Sequence, residues 1–315
     1  MTIFIYEHLT SGALVNEPFS ASLMHEGDAM ITALSHDLLA LDQSVSIMRD
    51  TRLPDLAAHP LLHVIPVSST QDYDQSWQDR LKDDEKMLII APETDAVLEE
   101  LVIQLEATNK LHLGSSSSAI RLFSNKLETA QHLHNHGIPT PETMTAENWL
   151  INDVHLTDKQ WILKPIDGAG CENTFKLNTL TMKQKLVALP ERSRYIVQPY
   201  IDGEAMSLSV FITNQAITLL SINKQHMAEY ADQLSLSHCE PHCNHLITAT
   251  DATALATKIH ESQPGLWGFV GIDLVITSNA VWVIEINPRL TSSYAEQGFR
   301  EHQNPAQYLL QNIPL

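Results

Sequence analysis

Two apolar runs, Phe269–Ile276 and Ala280–Ile286, flank the turn-forming Thr277-Ser278-Asn279, a pattern that predicts a β-hairpin. Alternation along a strand puts Val281, Val283, Glu285 and Asn287 on one face, and Asp273, Val275 and Thr277 on one face of the partner. A loop centred on Asn279 sets Asp273 opposite Glu285. A loop centred between 278 and 279 turns Asp273 to the wrong side, so the first register is the expectation. Upstream, short apolar runs at Ile3–Tyr6, Val45–Met48, His63–Val67 and Met87–Ala91 alternate with helical spacing at Met24–Leu41 and Asp95–Ala107. Strands alternating with helices imply a parallel sheet, and ligands on such sheets gather at the carboxyl ends of the strands. That rule aims Glu7, His8, Ser11 and Glu93 into a crevice.

The Gly/Ser-rich stretch Leu113–Ser118 reads as a boundary. Ser124-Asn125-Lys126 then opens a helix through His136, with Gly137 as its C′ residue and Pro139 and Pro141 after it. Trp161–Lys164 reads as a strand and Pro165–Gly170 as a loop. Tyr195–Ile201 is a further apolar strand. Met206–Ile212 and Ala216–Ile222 form a second hairpin ending at Asn223-Lys224-Gln225. A helix over Asp251–Gln263 leads into the 269–286 hairpin, and a short one near Pro305–Gln311 finishes the chain.

Composition narrows the classes. At 315 residues the chain can bury a proper core in two or three subdomains. Thirty-eight acids against 19 bases give a net charge of −19, which argues against nucleic acid or an anionic membrane as partner. No apolar run reaches the roughly 20 residues that span a bilayer, and no signal peptide precedes the first strand. Three cysteines, an odd number, fit a reducing compartment, so the cytoplasm is the expected location.

The chemistry concentrates in the last hairpin. Asp273, Glu285 and Asn287 supply two carboxylates and a carboxamide, hard oxygen ligands of the kind that suit Mg²⁺. A half-buried acid pair repels itself without a cation, because each negative charge raises the other's pKa. Arg289 follows Pro288 directly. The loop Asp167-Gly168-Ala169-Gly170 can point successive N–H groups at an anion. Lys224 leaves its strand toward the same region. His238–His245 offers five soft or borderline ligands, but it lacks paired Cys-x-x-Cys knuckles. A loop over the acceptor substrate is preferred to a zinc site.

Asp273-x(11)-Glu285-x-Asn287-Pro288-Arg289, preceded by Gly268-Phe269-Val270-Gly271-Ile272, resembles the last motif of the ATP-grasp superfamily. Trp161–Gly170 and Val197–Ser207 resemble two earlier ones in the expected order. The resemblance implies an ATP-grasp fold of the α/β class, with three parts: an N-terminal parallel α/β pre-ATP-grasp domain (1–118), a small α+β lid (119–200) and a C-terminal α+β domain (201–315). It implies ATP with two Mg²⁺ ions, for which Mn²⁺ can substitute. Lys126 and Lys164 then reach the nucleotide phosphates, with Gly168, Ala169 and Gly170 over the β- and γ-phosphates. The hinge Gln198, Pro199, Tyr200 and Ile201 holds adenine, and Glu204 holds ribose, one place earlier than is usual. Asp273, Glu285 and Asn287 hold metal, while Arg289 and Lys224 act on the substrates.

The implied reaction is carboxylate–amine ligation through an acyl phosphate. Within the superfamily the opening Ile3-Phe4-Ile5-Tyr6-Glu7-His8-Leu9-Thr10-Ser11-Gly12, the Glu26–Met30 helix, Ile89–Asp95, Leu220–Gln225 and Ile286–Tyr294 resemble the ligases that join tyramine to L-glutamate in methanofuran synthesis. Small-molecule carboxylate and amine partners, and a homodimer, go with that resemblance. A ligase for another amino acid pair, or a nucleotide-binding regulator without turnover, are the alternatives.

Overall fold

The computed structural model describes residues 2–18, 21–83, 86–151, 159–168, 170–301 and 303–313. The N-terminal part runs β1 (Thr2–Glu7), α1 (Ala21–Leu39), β2 (Ser44–Asp50), β3 (Leu62–Val67), α2 (Thr70–Asp83), β4 (Lys86–Ile90), α3 (Val97–Glu106) and β5 (Leu111–His112). Its five strands form one parallel sheet in the order β3-β2-β1-β4-β5, as the alternation of strands and helices predicts. Helix α2 was not expected: its sequence is strongly polar, and only Trp77 buries fully, on the indole-facing side of Tyr6. A helix that touches the core through so few residues leaves little apolar periodicity to read.

The remainder runs α4 (Ser117–Ser124), α5 (Lys126–Asn135), β6 (Met144–Thr145), α6 (Ala146–Ile151), β7 (Gln160–Pro165), β8 (Phe175–Asn178), α7 (Thr179–Ala188) and β9 (Tyr195–Pro199). It continues with β10 (Glu204–Ile212), β11 (Ile217–Tyr230), β12 (Gln233–Glu240), α8 (Ala249–Ser262), β13 (Gly268–Ile276), β14 (Val281–Asn287) and α9 (Ala306–Gln311). Nine strands join in the order β14-β13-β10-β11-β12-β8-β7-β9-β6, every pairing antiparallel. Two findings differ from expectation here. Strand β11 does not end at Gln225 but continues to Tyr230, and His238–Glu240 belong to β12 rather than to a loop. Polar strand ends carry no apolar alternation, so this extension was invisible to a hydrophobic pattern.

The last hairpin corrects the expected reason for its register. At the tip the ladder is Ile276 to Val281, Val275 to Trp282 and Leu274 to Val283, which centres the turn between 278 and 279. A β-bulge follows, leaving Ile284 as the extra residue, and Asp273 then pairs with Glu285. The bulge also breaks the predicted face. Val283 and Ile286 both enter the apolar core with Ile272 and Leu274, so Val283 does not share a face with Glu285.

Aromatic packing ties the two sheets together. Phe211 meets Phe269 edge-on at 5.0 Å between centroids, and Phe269 meets Tyr294 at 5.4 Å, in a cluster shared with Leu34 and Leu38 of α1. Tyr294 Oη donates to Asp37 Oδ2 at 2.8 Å, and Arg300 lies 3.0 Å from Asp37 Oδ1. These contacts fix the segment after β14 against α1. Among the described residues, no helix is long and apolar enough to cross a membrane.

Candidate active site

A cleft of about 510 Å³ opens between the strands β7, β9 and β12 on one side and β10, β11, β13 and β14 on the other. Lys126, Lys164, Gly168, Gln198, Pro199, Tyr200, Ile201, Glu204, Lys224, Asp273 and Glu285 all line it. Of the remaining residues singled out by sequence, Gly170 and Asn287 lie at its margin along the chain, Arg289 lies outside it, and Ala169 falls outside the described residues.

Lys126 begins α5. Asn125 caps that helix by accepting from the N–H groups of Leu127 (3.0 Å) and Glu128 (3.1 Å), and Gly137 closes it at φ +62°. The cap sets the lysine at the first helical turn. Its Nζ donates to the Gly168 carbonyl at 2.7 Å and lies 3.2 Å from Glu285 Oε1. Gly168 holds φ +116°, a conformation that a side chain would strain. Lys164, at the end of β7, is buried, which lowers its pKa, and neighbouring Lys126 lowers it further, partly offset by Glu285.

The acid pair has unequal members. Burial and the facing Glu285 push the Asp273 carboxyl up to about 6, against hydrogen bonds from Asn287 Nδ2 (3.1 Å) and Gln225 Nε2 (2.9 Å). Burial also pushes Glu285 up, but Lys126 and Lys164 more than offset it and hold it below the ordinary range. No group of three or more His, Cys, Asp or Glu side chains converges as a metal set among the described residues. Two carboxylates with a carboxamide beside them, one carboxyl already resisting ionisation, fit a Mg²⁺ that completes its shell with waters and phosphate oxygens. The His238–His245 run forms no such set: His238 stacks on His226 at 4.1 Å, and His226 Nε2 lies 3.2 Å from Glu240.

The hinge strand donates little from its own side chains. Gln198 Nε2 bonds Thr143 Oγ1 at 2.8 Å, and the Tyr200 N–H is taken by the Gln160 carbonyl at 2.9 Å. Glu204 and Lys224 meet at 3.0 Å on the exposed rim.

Arg289 turns toward the N-terminal sheet. Its Nε and Nη2 make a two-pronged pair with Glu93 at 2.9 and 2.8 Å, both side chains nearly inaccessible. Glu7 and Ser11 are buried beside the ends of β1 and β4, where Glu7 accepts from Thr10 N (2.8 Å) and Thr10 Oγ1 (2.7 Å), and burial pushes its carboxyl up to about 6. Of the crevice residues read from strand ends, Glu93 and Glu7 therefore face Arg289, while His8 bonds Tyr6 and Ser11 bonds the His8 carbonyl, and none of the four lines the cleft.

Two residues were missed. Gln225 holds Asp273, and alternation from Asn223 along β11 was a signal for it. Cys171 lines the cleft between the acids and the lysines, its thiol pushed up to about 11 by burial and the two carboxylates; nothing in its sequence neighbourhood marked it.

The profile of the ATP-grasp domain matches residues 123–293, which span the cleft and the acid pair. The chain belongs to the ATP-grasp family. A pre-ATP-grasp profile matches residues 43–120 ahead of it. Tyramine–L-glutamate ligases of Methanocaldococcus jannaschii and Methanocaldococcus fervens are 25% and 26% identical to this ATP-grasp chain, over 92% and 98% of its length and 83% and 93% of theirs. An ATP-grasp superfamily protein from Archaeoglobus fulgidus superposes with a TM-score of 0.70 at 24% identity, covering 99% of this chain and 88% of that one. The ADP complex of N5-carboxyaminoimidazole synthetase from Staphylococcus aureus gives 0.66 at 18% identity, covering 93% and 71%. These likenesses show the fold.

Proposed function

We propose that the chain is an ATP-dependent carboxylate–amine ligase that joins L-glutamate to tyramine or a related aromatic amine, as in methanofuran-type cofactor synthesis. The class, an ATP-dependent C–N ligase, follows from the family and from the two ligases similar to it over most of their length. The observation that supports the site assignment best is the convergence of Lys126 and Lys164 on the Asp273–Glu285 pair in one cleft. The division at 118 and 200 into N-terminal, lid and C-terminal parts, a homodimer and a cytoplasmic setting belong to this proposal.

In this reading a carboxylate oxygen attacks the γ-phosphorus of ATP, giving an acyl phosphate and ADP. The amine nitrogen then attacks the acyl carbon, phosphate departs, and the nitrogen loses a proton. Catalysis of such steps is mostly positioning and charge neutralisation. Lys126 and Lys164 bind phosphate oxygens, residues 198–201 at the end of β9 and Glu204 hold the nucleoside, and Lys224 contacts phosphate or the substrate carboxylate from the rim. Mg²⁺ held by Asp273, Glu285 and Asn287 would neutralise the triphosphate. Arg289 steadies charge on the oxygen of the tetrahedral intermediate, and the glycine loop excludes the water that would hydrolyse the acyl phosphate.

ADP release, followed with L-glutamate and a panel of tyramine, tyrosine and other amines, tests the reading. Release requiring both a carboxylate and an amine supports a ligase. Nucleotide binding with no release under any pair would leave a regulator instead, and release with a different pair would move the substrates but not the class.

A further inference from the structure

The turn that leaves β4 touches both Arg289, beside the cleft, and the glycine loop that lines it. Glu93 pairs in two-pronged fashion with Arg289, as described above. Two residues on, the Asp95 N–H donates to Asp167 Oδ2 at 2.9 Å, and the Asp95 carboxylate takes Arg194 Nη2 at 2.7 Å. Arg194 lies 3.6 Å from Asp167 as well. From there the contacts run inward: Ile166 N–H to the Arg194 carbonyl (2.8 Å), Lys126 N–H to the Ile166 carbonyl (2.8 Å), and Lys126 Nζ to the Gly168 carbonyl. A Cβ on Gly168 would lie 3.6 Å from Thr94 Oγ1, so the turn rests directly against the glycine loop.

The backbone of this turn is itself unusual. Asp95 and Ala96 are both left-handed, at φ +52° and +61°. Residues other than glycine seldom hold that conformation, alanine least readily of the two, since it has no local polar side chain to offset the steric cost. Such strain persists where the surroundings over-determine it. Here the over-determination comes from two anchors, Arg289 on one side and the Asp167–Arg194 pair on the other.

We propose that the Glu93–Ala96 turn is a positioning element for both steps of the ligation: Glu93 orients Arg289 for the attack of the amine, and Asp95, through Asp167 and Arg194, holds Gly168 and Lys126 in place around the phosphates. The inference rests on the ligase reading for the reaction it serves. The physical split between the two acids does not. Glu93 acts on a residue outside the nucleotide cleft, whereas Asp95 acts on the loop that lines it. Their removal therefore affects different parameters.

The test compares Glu93→Gln, Glu93→Asp, Asp95→Asn and Arg194→Met. Asparagine tolerates the left-handed region, so Asp95→Asn removes charge without altering backbone preference. Binding of a non-hydrolysable ATP analogue with Mg²⁺ is measured by calorimetry, and ADP release with L-glutamate and tyramine gives kcat and KM. Asp95→Asn weakens analogue binding by about two- to fivefold, the range of an exposed ion pair, and Arg194→Met, which removes the partner of both Asp95 and Asp167, weakens it at least as much. Glu93→Gln leaves analogue binding within about twofold but lowers kcat by at least about thirtyfold, as loss of a buried charge partner does, with partial recovery in Glu93→Asp. Equal changes in Kd for the two acids, or no change in either, overturn the proposal. A wild-type protein that binds the analogue but releases no ADP with this pair sinks the glutamate–tyramine assignment alone, because the Kd comparison still decides the role of Asp95.

Discussion

Lys126 Nζ lies 3.2 Å from Glu285 Oε1, joining the start of α5 to the last strand of the sheet across the cleft floor. With Lys164 it keeps Glu285 ionised while Asp273 opposite resists ionisation. Replacing Glu285 with alanine removes the member that carries the charge. Turnover falls by about 10²-fold or more, the scale set by lost electrostatic stabilisers, and Tm falls as well, because buried Lys126 and Lys164 lose the carboxylate that offsets their charge. Steady-state ADP release beside a thermal melt checks both halves, and near-normal turnover would count against the site.

Asp273 gives a pH dependence with a definite sign. Its folded value, about 6, lies above that of the unfolded chain, so the folded state holds the extra proton between the two values. Its contribution therefore lowers stability as pH rises from about 4 to about 6 and is constant above that. Mg²⁺ at the proposed site would displace that proton. Its affinity rises about tenfold per pH unit below 6, for one proton released, and then levels off. The Mg²⁺-induced shift in Tm, followed from pH 5 to pH 8, is expected to grow and saturate. A shift that is larger at pH 5, or that survives unchanged in Asp273→Asn, contradicts the assignment.

Arg289→Met has two costs that can be separated. It removes a proposed catalytic charge, and it also leaves Glu93, 4% exposed, as a buried unpaired carboxylate. Breaking such a pair from one side destabilises by about 3–5 kcal/mol. Adding Glu93→Gln recovers most of the stability but none of the activity. Chemical denaturation and the ADP assay on the single and double variants measure the two effects apart.

Replacing Gln225 with alanine tests a residue that carries no charge. It removes one of the two donors to Asp273, and the carboxyl moves further upward. The Mg²⁺ affinity midpoint shifts to higher pH, while binding at pH 8 changes by less than about tenfold, the scale of one ordinary hydrogen bond. A midpoint that stays in place, read from the same Tm series, would show that Gln225 does not govern Asp273.

The parallel N-terminal sheet and the α5 cap were legible because each has a local signature, apolar periodicity and Asn125 ahead of Lys126, whereas the pairing of Asp273 with Glu285 was expected from a turn centred on Asn279 and arises instead from the bulge at Ile284. What escaped depends on partners far along the chain. Arg289 reads as a neighbour of the acids but bonds Glu93, 196 positions away, and no spacing announces that contact. Helix α2 and the distal half of β11 escaped because polar surfaces leave no apolar rhythm.

Ile284 stands between the hairpin tip and the carboxylates with no residue across from it, and it faces the cleft. A shortened chain lacking it would still bring an aspartate and a glutamate face to face, now in an unbroken ladder, yet the cleft floor would lose one aliphatic side chain. The irregularity thus makes two matters independent: where the two carboxylates meet, and what surface the cleft floor presents beside them. Ancestral or designed chains could change the second without disturbing the first.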